Sequence, residues 1–180
     1  MGWSYKVHGG TAAILGTVSV ALTALTWLPV TVPWPGLHAL LWTDLVLLLV
    51  VAAPALGRLQ MRLADAREAW TGFRCLPLGL RTALGALLLV SLAQVGLVLA
   101  ADGDLHAPRA EAGRYFALDA RTPVEISRAR YLEVVDGRRR LALGAAGLML
   151  LTGACAALTA GEVRRADRAA ALSRTGRPGR

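Results

Sequence analysis

Thr82–Ala101, TALGALLLVSLAQVGLVLAA, runs twenty residues without a charge, closed by Arg81 before it and Asp102 after it. A helix rises about 1.5 Å per residue, so this stretch covers about 30 Å, the thickness of a bilayer's hydrocarbon core. Ser91 and Gln94 are its only strongly polar side chains. The stretch reads as a membrane span, and three others resemble it. The chain is 55% hydrophobic, and its apolar residues are gathered into uncharged blocks rather than dispersed at helical or strand spacing.

A long uncharged run extends from Gly9 to Thr43 and is punctuated by Pro29, Pro33, Pro35 and Gly36. Proline and glycine at that density break helices, which divides the run in two. The first span is expected over Thr11–Val32, then a tight turn at Pro33–Gly36, then a second span over Leu37–Leu56. A cleaved signal peptide is the rival reading of the first span, but no A-x-A site closes it and the apolar run exceeds a typical h-region. The third span is Thr82–Ala101 and the fourth Leu141–Gly161, uncharged between Arg140 and Glu162. The expected fold is an all-α integral membrane protein, a four-transmembrane-helix bundle with a small extracytoplasmic β-hairpin/helix insert between helices 3 and 4. The whole chain, 1–180, forms one membrane domain. Its size leaves no room for a separate soluble catalytic domain.

Arg58–Phe73 changes character. Leu59, Leu63, Ala66, Trp70 and Phe73 recur at three- and four-residue steps, which places them on one helix face. This predicts an amphipathic helix on the membrane surface, or a continuation of span two, ended by Gly72 and Pro77.

The net charge is +8. In a soluble protein such a balance suggests nucleic acid; in a multi-pass protein it fixes orientation. Residues 1–10 carry +1, residues 57–81 carry +3 and residues 162–180 carry +4, whereas residues 102–140 carry only +1. The positive-inside rule then puts both termini and the 57–81 connection in the cytoplasm and the 102–140 insert outside. Arg138–Arg140, packed against the outer end of span four, argue locally for the reverse. The cytoplasmic arginines are expected to meet anionic lipid headgroups rather than nucleic acid. Lys6 is the only lysine among twenty basic residues, a bias that suits a high-GC bacterial genome and a plasma-membrane location. Trp34 and Trp42 fall at one interface, Trp3 and Trp70 at the other.

In the insert, Asp102–Glu111 reads as irregular. Arg114–Asp119, RYFALD, reads as a strand, Ala120–Pro123 as a turn and Val124–Ile126 as a second short strand. Ser127 is a good N-cap for a short helix that Gly137 would end; a third strand over Tyr131–Val135 is the alternative. A unit this small has to dock on the spans or on a partner to stay ordered.

Asp44 is the sharpest candidate for function, because an acid at the bilayer centre costs about 2.5–3.5 kcal/mol and such residues tend to be used. It falls about 10 Å below the outer surface, and Gln94, Thr23 and Thr26 come to similar depth. Either these four form a polar cluster, or Asp44 simply reaches water just inside the level marked by Trp42. In span four, Gly153, Ala157 and Gly161 recur every four residues, the small-xxx-small pattern for close helix approach; Gly85, Ala93, Gly96 and Ala100 give span three a comparable side. Packing within the chain is favoured, and a homo-oligomer stays open. Cys75 and Cys155 read as apolar filler with no disulfide between them. His8, His38 and His106 are isolated, and no metal, cofactor, P-loop or nucleophile motif is present.

These residues point to a non-enzymatic accessory or interaction protein, immunity-type proteins included. Its partner in the membrane or outside it would be met through the insert or the cytoplasmic helix. The alternative is a small transporter or channel component using Asp44 and Gln94.

Overall fold

The computed structural model describes residues 3–28, 39, 42, 43, 46, 57, 66–101 and 105–175. The second span and most of the 58–73 helix lie outside the described residues. The fold is mostly helical with one small sheet: α1 (Trp3–Leu25), α2 (Ala66–Arg74), α3 (Leu78–Ala101), β1 (Leu105–Glu111), β2 (Arg114–Asp119), β3 (Thr122–Ile126) and α4 (Arg128–Thr175). Three helices, α1, α3 and α4, are long and apolar enough to cross a membrane.

The helix boundaries exceed the uncharged runs. α1 starts at Trp3 rather than Thr11 and ends at Leu25, and α3 starts at Leu78 rather than Thr82. Charge marks where a span leaves the hydrocarbon, but a backbone ladder continues past that point at no cost, since the helix satisfies its own polar groups. α4 shows this most fully. Its 48 residues, about 72 Å long, merge the expected short helix after Ser127, span four and the start of the tail. Ser127 caps it as expected: its Oγ accepts the Arg130 N–H at 3.2 Å. Gly137, expected as a stop, lies inside α4 with helix on both sides. Glycine ends a helix only where the chain turns left-handed, and here it does not.

α1 and α4 run antiparallel, and glycines set their distance. A Cβ at Gly9 would lie 2.6 Å from Leu158 Cγ, one at Gly16 2.8 Å from Leu151 Cγ, and one at Gly147 3.2 Å from Val20 Cγ2. Each step of seven or four residues along α1 is matched by an equal step back along α4, so one register holds the whole length. Seven-four spacing keeps a helix face aligned over whole turns. The core gathers along this seam and under α3: Ala12, Val20, Leu84, Leu151, Ala154 and Leu158. α2 packs on the far part of α4, where a Cβ at Gly72 would meet Thr159 and Val163 at 2.8 Å. Arg164 of α4 donates to Tyr5 Oη at 3.4 Å. The start of α1, α2 and the late turns of α4 therefore share one end of the bundle, and the sheet lies at the other.

The sheet has three antiparallel strands in the order β1-β2-β3, one more than the hairpin expected. β1 occupies the segment read as irregular. It pairs with β2 through a register shift between His106 and Arg109, which contain Ala107 and Pro108. A bulge on an edge strand is where a sheet tolerates proline. Tight turns with two positive-φ residues join the strands, Ala112–Gly113 and Ala120–Arg121, a geometry that matches the twist of paired strands. Ala117 is buried, and Tyr115 rests on Tyr131 of α4 with ring centroids 4.9 Å apart, so the sheet docks on the first turns of α4.

Candidate functional site: a polar seam among apolar helices

Large apolar side chains stand on the outside as well as in the core: Leu89 and Leu97 of α3 are 69% and 60% exposed, while Thr23 and Ser91 are fully buried. Buried Ser19, Thr23 and Ser91 collect where α1, α3 and α4 meet, and buried Thr159 lies against Gly72 of α2. Thr23 Oγ1 donates to the Ser19 carbonyl at 2.9 Å, and Thr26 Oγ1 to the Thr23 carbonyl at 2.6 Å. Both threonines so spend their hydroxyl protons within α1, which is how a hydroxyl is buried cheaply on a helix. The bonds between helices come from α3. Ser91 Oγ donates to the Gly144 carbonyl of α4 and Gln94 Nε2 to the Val20 carbonyl of α1, each at 3.4 Å. Ser91 and Gln94 lie one turn apart, so α3 is stitched to both neighbours from a single face.

Of the four residues expected to cluster, the structure brings Gln94 to α1 through a backbone carbonyl rather than through the hydroxyls of Thr23 and Thr26. Asp44 lies outside the described residues. Gln94 Oε1 is buried with no hydrogen-bond partner among the described residues. Gly153, Ala157 and Gly161 are all buried within the chain. The matching stripe on α3 is different: Ala93, Gly96 and Ala100 are exposed, and a Cβ at Gly85 or Gly96 would meet nothing within 4 Å. That stripe does not pack against the described residues, because Leu84, Ser91 and Val98, at seven-residue spacing, form the buried face instead.

Above the seam sits a second cluster that the sequence reading passed over. Arg140 Nη2 donates to the Thr26 carbonyl at 2.9 Å, and its guanidinium lies 4.5 Å from the Trp27 ring centroid. This places a cation on the carbonyl end of α1, where the helix dipole favours it. Arg139 pairs with Asp136 at 2.7 Å. Arg140 thus holds the end of α1 and Arg139 is paired on its own helix, which accounts for two of the three charges where the insert meets the spans. Arg164 stands near Tyr5 at the opposite end, its guanidinium 5.7 Å from that ring centroid. The available signal was an arginine just before an apolar run and an aromatic at the end of another.

Cys75 and Cys155 form no disulfide. Among the described residues no group of three His, Cys, Asp or Glu side chains is placed to hold a metal ion. Chemically, the seam offers hydroxyl and amide groups aimed at backbone carbonyls, an arrangement that fixes helices against one another. No family model, curated protein or solved structure matches this chain.

Proposed function

We propose that the chain is a four-span plasma-membrane protein with both termini in the cytoplasm and the sheet outside. In this reading it serves as a non-enzymatic interaction protein, accessory or immunity-type, that meets its partner through the sheet. The observation that carries the membrane reading is the apolar outer surface of three span-length helices, with Ile14 of α1, Leu89 and Leu97 of α3 and Met149 of α4 all exposed. The second span is supported by where the described segments end. α1 finishes beside Arg140, and α2 packs near Thr159 and Val163. These two points lie about 30 Å apart along α4, the length that a span over residues 37–56 would cover. The orientation is supported by the three basic segments meeting at one end of the bundle, away from the sheet.

The interaction reading rests on the sheet's second face. Ala117 and Tyr115 turn toward α4, so strand alternation sends Phe116 and Leu118 to the other side. There, with Pro123 and Arg109, they line a groove of about 230 Å³. A photo-crosslinker at Leu118, compared with one at the exposed Leu89 of α3, tests this in the native membrane. A discrete protein adduct from position 118 and none from 89 is expected; no adduct at 118, or the same adduct at both, refutes it. Impermeant maleimide should label Thr122→Cys on intact cells, in a background without Cys75 and Cys155, and should label Arg168→Cys only after permeabilisation.

One observation favours the transport alternative: Gln94 Oε1, between helices, has no partner among the described residues. Loss of an ion or solute flux in Asp44→Asn and Gln94→Leu, with assembly intact, would establish that reading in place of the first.

A further inference from the structure

A cavity of about 210 Å³ opens where α1, α3, β1 and α4 converge, between the sheet and the apolar bundle. That is the volume of about seven waters at roughly 30 Å³ each. Its walls differ in kind. Arg140 and Arg130 supply cations, Trp27 an aromatic face, and Val98, Ala101 and Leu105 an apolar side. Glu133 also borders it, but its carboxylate is held by Arg130 at 2.8 Å.

Arg140 gives the cavity its sign. Its Nε is buried and has no hydrogen-bond partner among the described residues. Its other contacts, the Thr26 carbonyl and the Trp27 ring, carry only partial negative charge. Among the described residues no carboxylate lies within ion-pair distance of it. A cation with a buried Nε and no full counter-charge among the described residues is costly, and a phosphate or carboxylate that meets its fork geometry removes that cost. The apolar wall says which anion. Val98 and Ala101 continue into Leu97 and Leu99, exposed on α3 at 60% and 57%, so a hydrocarbon chain can leave the cavity along that face without crossing polar surface.

We propose that this cavity binds the phosphodiester of an anionic phospholipid, with Arg140 on the phosphate and an acyl chain lying along α3. The site rests on the membrane reading given above. A guanidinium facing a pocket whose other wall is apolar matches the two halves of a phospholipid, the charged phosphate and the hydrocarbon.

Native mass spectrometry of the chain in detergent, with phosphatidylglycerol or phosphatidylcholine added, tests the site. Wild type retains one phosphatidylglycerol in preference to phosphatidylcholine. Arg140→Gln lowers that retention by at least about tenfold, the scale of one lost charge-assisted contact. Because Arg140 also holds α1, Ala101→Trp provides the independent arm: it fills the cavity from an exposed position and should remove the lipid with the fold intact. Leu89→Trp, remote on the same helix, should leave retention unchanged. Equal retention in Ala101→Trp and Leu89→Trp, equal retention of the zwitterionic lipid, or displacement by inorganic phosphate alone overturns the proposal. A chain that stays monodisperse without detergent refutes the membrane reading instead, so the two failures are distinct.

Discussion

The guanidinium of Arg140 reaches across 114 positions of sequence to the carbonyl of Thr26, at 2.9 Å. It holds the end of α1 to the point where α4 leaves the sheet. Trp27 adds its ring face to the same cation. Replacing Arg140 by Gln removes the charge and the stacking, and should lower the stability of the detergent-solubilised chain by about 1.5–3 kcal/mol. Arg140→Lys should recover only part of this, since an ammonium keeps the charge but neither the planar fork nor the stacking. Thermal unfolding followed by tryptophan fluorescence reads both.

Glycine's role in the α1–α4 seam separates two kinds of glycine by measurement. At Gly16 a Cβ would sit 2.8 Å from Leu151 Cγ and 3.1 Å from the Leu151 backbone nitrogen, which cannot rotate away. Gly16→Ala should cost about 1–3 kcal/mol, the ordinary penalty of overpacking. At Gly96 nothing lies within 4 Å, so Gly96→Ala should be neutral or stabilise by up to about 1 kcal/mol through helix propensity. Equal effects at the two positions would contradict the register described for α1 and α4.

The β2–β3 turn carries a conformation its residues do not favour. Ala120 and Arg121 have φ of 45° and 94°, in the left-handed range where a side chain crowds the backbone. Arg121→Gly should relieve about 1 kcal/mol and increase hydrogen-exchange protection of the amides paired between β2 and β3. Faster exchange there would refute the turn geometry.

The parts of this architecture that were legible in the sequence are those fixed by local chemistry. Three of the four runs read as spans are helices long and apolar enough to cross a membrane, Ser127 is a cap, and RYFALD is the central strand. The parts that were not legible depend on a partner elsewhere in the chain. LHAPRAE has no alternation and carries a proline; it is a strand because β2 offers it a ladder and a bulge absorbs Pro108. Gly9 and Gly16 gain meaning only once Leu158 and Leu151 are set opposite them. Gln94 was readable as polar and intramembrane, but its acceptor is a backbone carbonyl, which no side-chain pattern marks. Arg138–Arg140 read as an orientation signal because charge can be counted from sequence, while a capped helix end cannot.

α4 passes from its cap at Ser127 to Thr175 with Gly137 embedded in it and no break along the way. An unkinked helix bends gently but has no hinge. Tyr131, under the sheet, and Arg164, beside Tyr5, thus belong to one stiff lever. The strands therefore cannot reorient without carrying the far end of α4 with them, and the close glycine contacts with α1 resist that movement along the whole seam.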